Sequence, residues 1–424
     1  MEKIDSVIKE VLNEINPPKE ELEFIEKNLS KFLKKTKERI KKLKIDAEVF
    51  VGGSYAKGTL AKGDFYDVDI FLRFSKKYSE EEYTRLSKKI LRWTKRVSVV
   101  HGSRNYFRIK LNEKVHFEVV PVKKIRTQKE AVNITDLSYF HVKYLKKKIK
   151  KQKVLDEIKL GKAFLRGIKV YGAESYVHGF SGYSVELLIY HFKTFKKFLK
   201  VLSKKRKEKL IIDIEDFYKN GDVLLDMNGS KLDSPIVLVD PTYKIRNVLA
   251  ALSEETYLKF QEYAKKFLKR PTKDFFVSKP LDFEEEKKKA KKKNLEFVKL
   301  KIKTKKEMGD VAGTKLLKFF NHLSNELNKY FEVKENDFEY GGKKEGEGFL
   351  SLKSRGELVL SGPRINNKEN LEKFQKEHKL TYVKGKRIYA REIVNASSHE
   401  FIKKWLNKNK KKVRDMSITE VRVY

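Results

Sequence analysis

The sequence has no cysteine in 424 residues. That excludes a disulfide scaffold, a thiolate zinc site and cysteine nucleophile chemistry. Proline occurs 8 times and tryptophan twice, and we find no proline-rich tract, prion-like segment or internal repeat. No apolar run approaches the roughly 20 residues needed to span a bilayer. The start, MEKIDSVIKE, lacks the pattern of a signal peptide. A soluble, cytoplasmic protein is therefore expected, with no membrane partner. Acidic residues are also scarce: 59 Asp and Glu stand against 98 Lys and Arg, a formal net charge of +39.

A positive surplus of that size points to a polyanion. Nucleic acid is the leading candidate, because each phosphate neutralised by Lys or Arg releases counterions. An anionic membrane surface fits less well, since no helix sets an aromatic-rich apolar face against a basic one. Adaptation to heat would raise Glu along with Lys, and here Lys runs far ahead. The 40% hydrophobic and 12% aromatic content is enough for folded cores. The length suggests about three domains on a prior of roughly 150 residues each.

The chain reads as α+β and multidomain. Residues 2–15 and 18–44 read as helices, Pro17-Pro18 opening the second. Strands are expected at 47–54, 67–74, 97–101, 105–111 and 115–120, with a helix at 79–96. The first domain, with its small mixed sheet, is placed at 1–150, ending at the basic step KKKIKKQK. Residues 151–276 read mostly as helix, including 155–172 with Gly172 as C-cap, 183–202, and 254–269 before Pro271. The third part, 277–424, is α+β. It has an exposed helix or linker at 284–294, a strand at 295–303 and a helix at 312–330. Strands at 336–364 and 379–392 and helices at 367–378 and 398–412 follow.

The informative segment is GGSYAKGTLAKGDFYDVDIFLRF, 52–74. In an extended strand alternate side chains share a face, so Val68, Ile70 and Leu72 face the core while Asp67 and Asp69 share the other side. Two carboxylates so placed repel each other unless a divalent cation sits between them. Oxygen-only ligands, with no His or Cys nearby in sequence, suit magnesium or manganese. The strand VHFEVVP, 115–121, supplies a third carboxylate, Glu118, in an otherwise apolar run where an unpaired acid is costly. If the two strands are neighbours, the three acids converge as two-metal phosphoryl transfer requires. Gly52-Gly53-Ser54 reads as a turn whose backbone N–H groups and Ser54 hydroxyl can cradle phosphate. A Gly-Gly-Ser turn is most often only a turn, and D-x-D is often an exposed edge. Together and in this order the signals are strong.

These residues resemble the polymerase-beta-type nucleotidyltransferase superfamily, in which G-[GS]-S is followed by D-x-D-[IV] and a later carboxylate strand. Within it the chain is most similar to the class I, archaeal-type CCA-adding enzymes, the tRNA nucleotidyltransferases. SYFHVKYL (138–145), LGKAFLRGIKVYGAE (160–174), GFSGYSVELL (179–188), VDPTYKIRNVLAALS (239–253), SGPRINNKENLEKF (361–374) and YVKGKRIYARE (382–392) all resemble that family's segments. The E-D-x-x-R template motif of the other class is absent; the nearest string, residues 215–219, ends in Lys.

The resemblance implies a nucleotidyltransferase head (1–150), a helical neck (151–276) and an α+β body with an inserted tail (277–424) that holds the tRNA acceptor and T-arm region. It implies that Asp67, Asp69 and Glu118 bind two magnesium ions. It implies that Gly53, Ser54 and Lys57 meet the incoming triphosphate, and that His141, Lys162 and Tyr171 line the nucleotide site. Arg246 and Asn247 would lie near the base, where CTP or ATP is chosen. Two positions depart from the pattern. The third carboxylate is Glu118 where Asp is usual, and Lys57 stands where Arg is frequent, keeping the charge and losing the bidentate fork.

Blander readings stand beside these. Lys162 lies among lysines and by itself is a solvated charge. His141, alone, is a surface or packing residue. Arg246 reads equally as one end of a structural salt bridge. The lysine runs at 146–153, 287–293 and 408–412 are usually solvated faces. Tyr171 and Lys162, nine residues apart, are about half a turn out of phase on one straight helix. They can share a pocket only if the helix ends before Tyr171. The competing functions are a terminal adenylyltransferase of the poly(A) or oligoadenylate type, indifferent to CTP, and a non-catalytic RNA-binding protein. Oligomeric state, a homodimer included, stays open.

Overall fold

The structure is a computed structural model that describes residues 2–100, 104–218, 223–306, 308–393 and 397–424, the side chains of Glu2, Leu358, Glu392 and Ile393 aside. The chain divides into two compact units, 1–279 and 280–424.

The first unit begins with helices α1 (Glu2–Ile15) and α2 (Lys19–Lys42). Strand β1 (Ala47–Val51), one-turn α3 (Gly53–Ala56), β2 (Tyr66–Phe74), α4 (Glu80–Leu91), β3 (Val97–Val100), β4 (Tyr106–Lys110) and β5 (Val115–Lys123) follow. The last residue of the strand expected at 97–101 lies outside the described residues. The sheet order is β1-β2-β5-β4-β3, with β2 and β5 parallel and the other pairs antiparallel. Helix α2 buries Ile25, Leu29, Phe32, Thr36 and Ile40, a spacing of three and four that keeps one stripe inward. Helix α4 opens on a capping box between Ser79 and Glu82 and ends at Leu91, short of the expected 96. Both helices pack on the face of the sheet that carries Val68, Ile70, Leu72, Phe117 and Val119. The face that carries the acids is left without that helical layer.

The same unit continues through α5 (Ser138–Lys148), α6 (Gln152–Gly167), α7 (Gly182–Phe192), α8 (Phe195–Leu202), β6 (Leu210–Ile212), α9 (Val223–Asp226), α10 (Gly229–Leu232), β7 (Ile236–Asp240), β8 (Tyr243–Asn247) and α11 (Glu254–Lys269). Its core is aromatic. Phe164, Phe180, Phe195, Phe198, Phe260 and Phe267 are all fully buried, and Val11 of α1 joins them. Each such ring contributes roughly 2 kcal/mol by leaving water.

Three expectations need correcting here. The helix read at 155–172 ends at Gly167 and is capped by Ile168, so Gly172 is not its cap. The single helix at 183–202 is two, because Lys193 adopts a left-handed φ of +71° and Thr194 then caps α8 through its side chain. The region is also less helical than expected: β6, β7 and β8 form a three-stranded sheet, β6 parallel to β7 and β7 antiparallel to β8. Strand β7 is buried at every position, and such a continuous apolar run has no period to mark it as strand.

The second unit consists of α12 (Phe283–Lys292), β9 (Glu296–Thr304), α13 (Asp310–Leu327), β10 (Phe331–Tyr340), β11 (Glu345–Ser354), β12 (Glu357–Arg364), α14 (Lys368–Glu377), β13 (Thr381–Lys384), β14 (Arg387–Ile393), α15 (Ser398–Lys408), α16 (Lys410–Asp415) and β15 (Ile418–Val423). Strands β10-β11-β9-β15 make an antiparallel sheet. Helix α13 covers it, packing Leu316, Phe319, Phe320, Leu323 and Leu327 on Val298, Leu300 and Ile302. A second sheet, β12-β14-β13, is inserted between β11 and α15 together with α14. The expected helix at 398–412 is α15 and α16, joined at Asn409. Strand β15 was not expected. A register shift between Ile418 and Glu420 breaks the apolar alternation that would have marked it.

Candidate active site

The parallel pairing of β2 with β5 sets Asp69 opposite Glu118 and Asp67 opposite His116. Val68, Ile70, Phe117 and Val119 are fully buried on one side, so the intervening acids project together from the other. The glycines before them matter for shape. Gly52 is pressed against the Phe71 ring, where a Cβ would lie 2.3 Å from Cε2. Gly53 has φ +62°, and a Cβ there would lie 1.6 Å from Asp69 Oδ2. The chain therefore passes directly over the Asp69 carboxylate, which only glycine permits. Instead of an open turn, 53–56 close into one helical turn, Ala56 N–H donating to Gly52 O. Ser54, half-buried, follows Gly53 on that turn.

Burial dominates the electrostatics. It pushes the Asp69 carboxyl up to about 6; Lys57 pulls it down, and the Asp67 charge pushes it up further. Burial and the Asp67 charge together raise Glu118 to about 7, although Arg108 opposes them. Asp67 is raised as well, by burial. Three acids crowded in low dielectric hold protons more tightly because nothing nearby neutralises all of them.

Two groups present in the fold alter the oxygen-only picture. Arg108, directly across from Glu118 on β4, donates to Glu118 Oε1 from Nη2 at 2.6 Å and from Nε at 3.1 Å. His116 Nδ1 lies 3.5 Å from Asp67 Oδ1, so a histidine is nearby after all. Both of those atoms are buried without a hydrogen-bond partner.

Among the described residues no three His, Asp or Glu side chains stand as a ready-made metal cage, and Glu118 Oε1 is engaged by Arg108. The donor chemistry nonetheless fits a hard divalent cation. Asp67 Oδ1 is buried and orphaned, Asp69 is clamped under Gly53, and all three carboxyls are raised by burial, Asp69 and Glu118 also by neighbouring acid charge, which a cation would relieve.

A buried basic cluster adjoins the acids. Lys162 on α6 is only 2% exposed, so it is not a solvated charge. It donates to Glu186 Oε1 at 2.7 Å and to Thr59 Oγ1 at 2.9 Å. Lys57 donates to the other oxygen of Glu186 at 2.6 Å, and Thr59 donates to Oε1 at 3.0 Å. Burial alone would raise Glu186, but the two ammonium groups outweigh it and hold the carboxyl at about 2. The Lys57 charge also acts on Asp69, His141 and Tyr171, which ties the expected nucleotide residues into one neighbourhood.

A second polar hub is built on Asp240, fully buried at the end of β7. His141 Nε2 lies 3.2 Å from Oδ2, and Arg246 Nη1 lies 2.5 Å from the same oxygen. The other oxygen accepts from the Tyr183 hydroxyl at 3.2 Å and from the Thr242 N–H and hydroxyl at 2.8 Å each. Burial opposes ionisation of Asp240, but its histidine, arginine and backbone partners hold it well below the usual carboxylate range. Burial in turn lowers His141, against the pull of Asp240. The His141 ring stacks on Tyr183 at 4.0 Å between centroids.

Of the expected residues, the structure gathers Gly53, Ser54, Lys57, Asp67, Asp69 and Glu118 around the acids and brings Lys162 in from α6. Arg246 does form the structural ion pair, and through it shares Asp240 with His141. Tyr171 lies beyond the end of α6, bridged to Phe180. Its hydroxyl lies 2.7 Å from where a Cβ of Gly182 would be, and the Arg166 guanidinium sits 4.6 Å over its ring. Asn247 is different. Its side chain is buried, with Oδ1 accepting from Leu238 N–H and Leu249 N–H and Nδ2 donating to Lys231 O and Ile236 O. All four hydrogen-bonding positions are used inside the fold, so its amide braces β7 and β8 and does not reach out toward a base.

Reading the sequence overlooked Glu186, Thr59, Asp240, Tyr183, Arg108 and His116. Glu186 and Asp240 carried a usable signal: each is a lone acid in an apolar run, YSVELLI and IVLVD, the feature that marks Glu118.

Two family models match the first unit. Residues 29–159 match "Nucleotidyltransferase domain" and residues 156–277 match "tRNA nucleotidyltransferase, second domain". Among curated proteins, a CCA-adding enzyme of Nanoarchaeum equitans is 41% identical over 50% of this chain and 52% of its own length. One of Methanococcus maripaludis is 30% identical over 79% of this chain and 74% of its own. One of Thermococcus gammatolerans is 29% identical over 96% and 90%. The chain thus spans about half the length of the first relative and about three quarters or more of the other two. No helix among the described residues is long and apolar enough to cross a membrane. With the acid strands, the two domain models and relatives aligned along most of their length, the chain belongs to the archaeal-type CCA-adding enzymes, a family of tRNA nucleotidyltransferases.

Proposed function

We propose that this protein adds C, C and A to the 3′ end of tRNA from CTP and ATP, without a nucleic-acid template, in the cytoplasm. The register that sets Asp69 beside Glu118, two residues along the same strand face from Asp67, carries this reading. The tRNA 3′-hydroxyl oxygen forms a bond to the α-phosphorus, and the bond from that phosphorus to its bridging oxygen breaks. Pyrophosphate leaves and the hydroxyl proton is released. Asp67, Asp69 and Glu118 would hold divalent cations, two magnesium ions in this reading, which when bound neutralise phosphate charge and lower the pKa of the attacking hydroxyl. Lys57, Lys162 and Ser54 meet the triphosphate. His141, Tyr171 and Arg246 line the nucleotide site, the first and last aimed by Asp240. Catalysis is then mainly positioning and charge neutralisation. The surplus of 39 positive charges suits the phosphates of the tRNA acceptor and T-arm region. In this reading the head is 1–150, the neck 151–276 and the body with tail 277–424.

The test is extension of a tRNA transcript lacking CCA, with magnesium and CTP alone, ATP alone or both, resolved at one nucleotide. Two additions with CTP, and a third only when ATP is also present, are expected. Asp69→Ala is expected to lower transfer by at least about a hundredfold with tRNA binding intact. Tailing with ATP alone would replace this reading with an adenylyltransferase. Salt-sensitive binding without extension would leave an RNA-binding protein, and wild-type turnover in Asp69→Ala would sink the metal assignment.

A further inference from the structure

We propose that Glu186 is a positioning residue that holds Lys57 and Lys162 as a two-ammonium clamp for the triphosphate of the incoming nucleotide. This rests on the nucleotidyl-transfer reading above and adds to it a residue on α7, remote in sequence from the acid strands.

Glu186 is fully buried within a run of otherwise apolar or small neighbours, Ser184 to Ile189. An isolated carboxylate there would be driven to its neutral form. Instead each of its oxygens receives an ammonium, Lys57 on Oε2 and Lys162 on Oε1, with Thr59 braced between Lys162 and the carboxylate.

One lysine would satisfy a structural ion pair, and apolar residues could often replace the pair altogether. Placing two ammonium groups on one carboxylate adds repulsion that a purely structural role does not call for. It does produce two cations at fixed positions, one from the loop after the Gly53 turn and one from α6. The positive charge of both is felt at Asp69, so an anion arriving beside that carboxylate is drawn by both. An ammonium has three N–H donors. Lys57 uses one on Glu186, and Lys162 uses two on Glu186 and Thr59, which leaves donors for phosphate oxygens while the carboxylate keeps both side chains in place.

The experiment compares wild type with Glu186→Gln and Glu186→Asp in extension of tRNA lacking CCA, together with calorimetric binding of a non-hydrolysable CTP analogue. Glu186→Gln removes the charge at constant shape. KM for CTP and for ATP should rise about 10–100-fold, analogue affinity should fall by a similar factor, kcat should fall much less, and tRNA binding should be unchanged. Glu186→Asp keeps the charge but is too short to reach both lysines, and should lie between the two. A folded Glu186→Gln or Glu186→Asp protein with wild-type KM overturns the proposal, as does a loss confined to kcat. If neither variant folds, protection of Lys57, the more exposed of the two lysines, from acylation by the bound analogue in the wild type, read by mass spectrometry, decides, and no protection overturns it. A wild type that extends no tRNA removes the functional reading itself. A wild type that extends, with Glu186 variants of unchanged KM, removes only this proposal.

Discussion

Replacing Gly53 by alanine tests the geometry of the acid site with a single methyl group. The added Cβ would lie 1.6 Å from Asp69 Oδ2, 2.5 Å from its Cγ and 2.9 Å from its Cβ. Ordinary carbon–oxygen contact begins at roughly 3.2 Å. The carboxylate must therefore retreat by roughly 1.5 Å, or the turn must lift by as much. Alanine at φ +62° adds about 1–2 kcal/mol of backbone strain, which lowers Tm by a few degrees for a unit of this size. The effect on turnover is larger, because misplacing a reacting group by 1 Å can cost about a hundredfold. We expect Gly53→Ala to fold, to bind tRNA as wild type does, and to add nucleotides at least about 100-fold more slowly at saturating CTP. Gly63→Ala is the control, since its Cβ would meet nothing closer than Phe65 O at 3.6 Å. Turnover in Gly53→Ala within tenfold of wild type would refute the close packing of the turn on Asp69.

Asn247→Asp sets a carboxylate oxygen against Lys231 O and Ile236 O, where the amide now donates. A loss of about 2 kcal/mol or more is expected in denaturant unfolding, with the preference between CTP and ATP unchanged. Altered base choice at unchanged stability would show that Asn247 reaches the nucleotide after all. Glu186 also sets a pH dependence. Its two lysines hold the folded carboxyl at about 2, below the ordinary glutamate value of 4.5, so the stability it contributes is present above about pH 4.5 and is lost as pH falls through about 2. The stability of wild type relative to Glu186→Gln should therefore fall by about 3 kcal/mol as pH drops from above 4.5 to below 2. A gap independent of pH would contradict the two-lysine pairing.

The mixed α+β character, the first-unit strands and the acid trio were legible because their signals are local. A period of two exposes Asp67, Asp69 and Glu118 as the polar face of strands whose other face is apolar, and helices such as α11 lie between a clear cap at Ser253 and a clear stop at Pro271. The strand pair needed only to be neighbours for the acids to meet, and it is. The small sheet of β6, β7 and β8 was not legible. A strand buried on both faces shows no alternation, and its parallel partner β6 lies more than 20 residues earlier in the chain. The break at Lys193 was hidden for another reason: a left-handed lysine has no composition to announce it.

What the amino-acid order determined alone is therefore the identity of the acids, the glycines beside them and the basic character that calls for a polyanion. All are carried by residue type and by spacing within one element. What the tertiary structure decided is which groups meet across elements. Glu186 draws Lys57 and Lys162 together over sequence separations of 129 and 24 residues. Asp240 joins His141 to Arg246, and Asn247 turns inward to brace two strands. Such pairings arise because a buried charge or amide must find its partner in the folded interior wherever the chain brings one, and neither periodicity nor spacing along the chain encodes where that is.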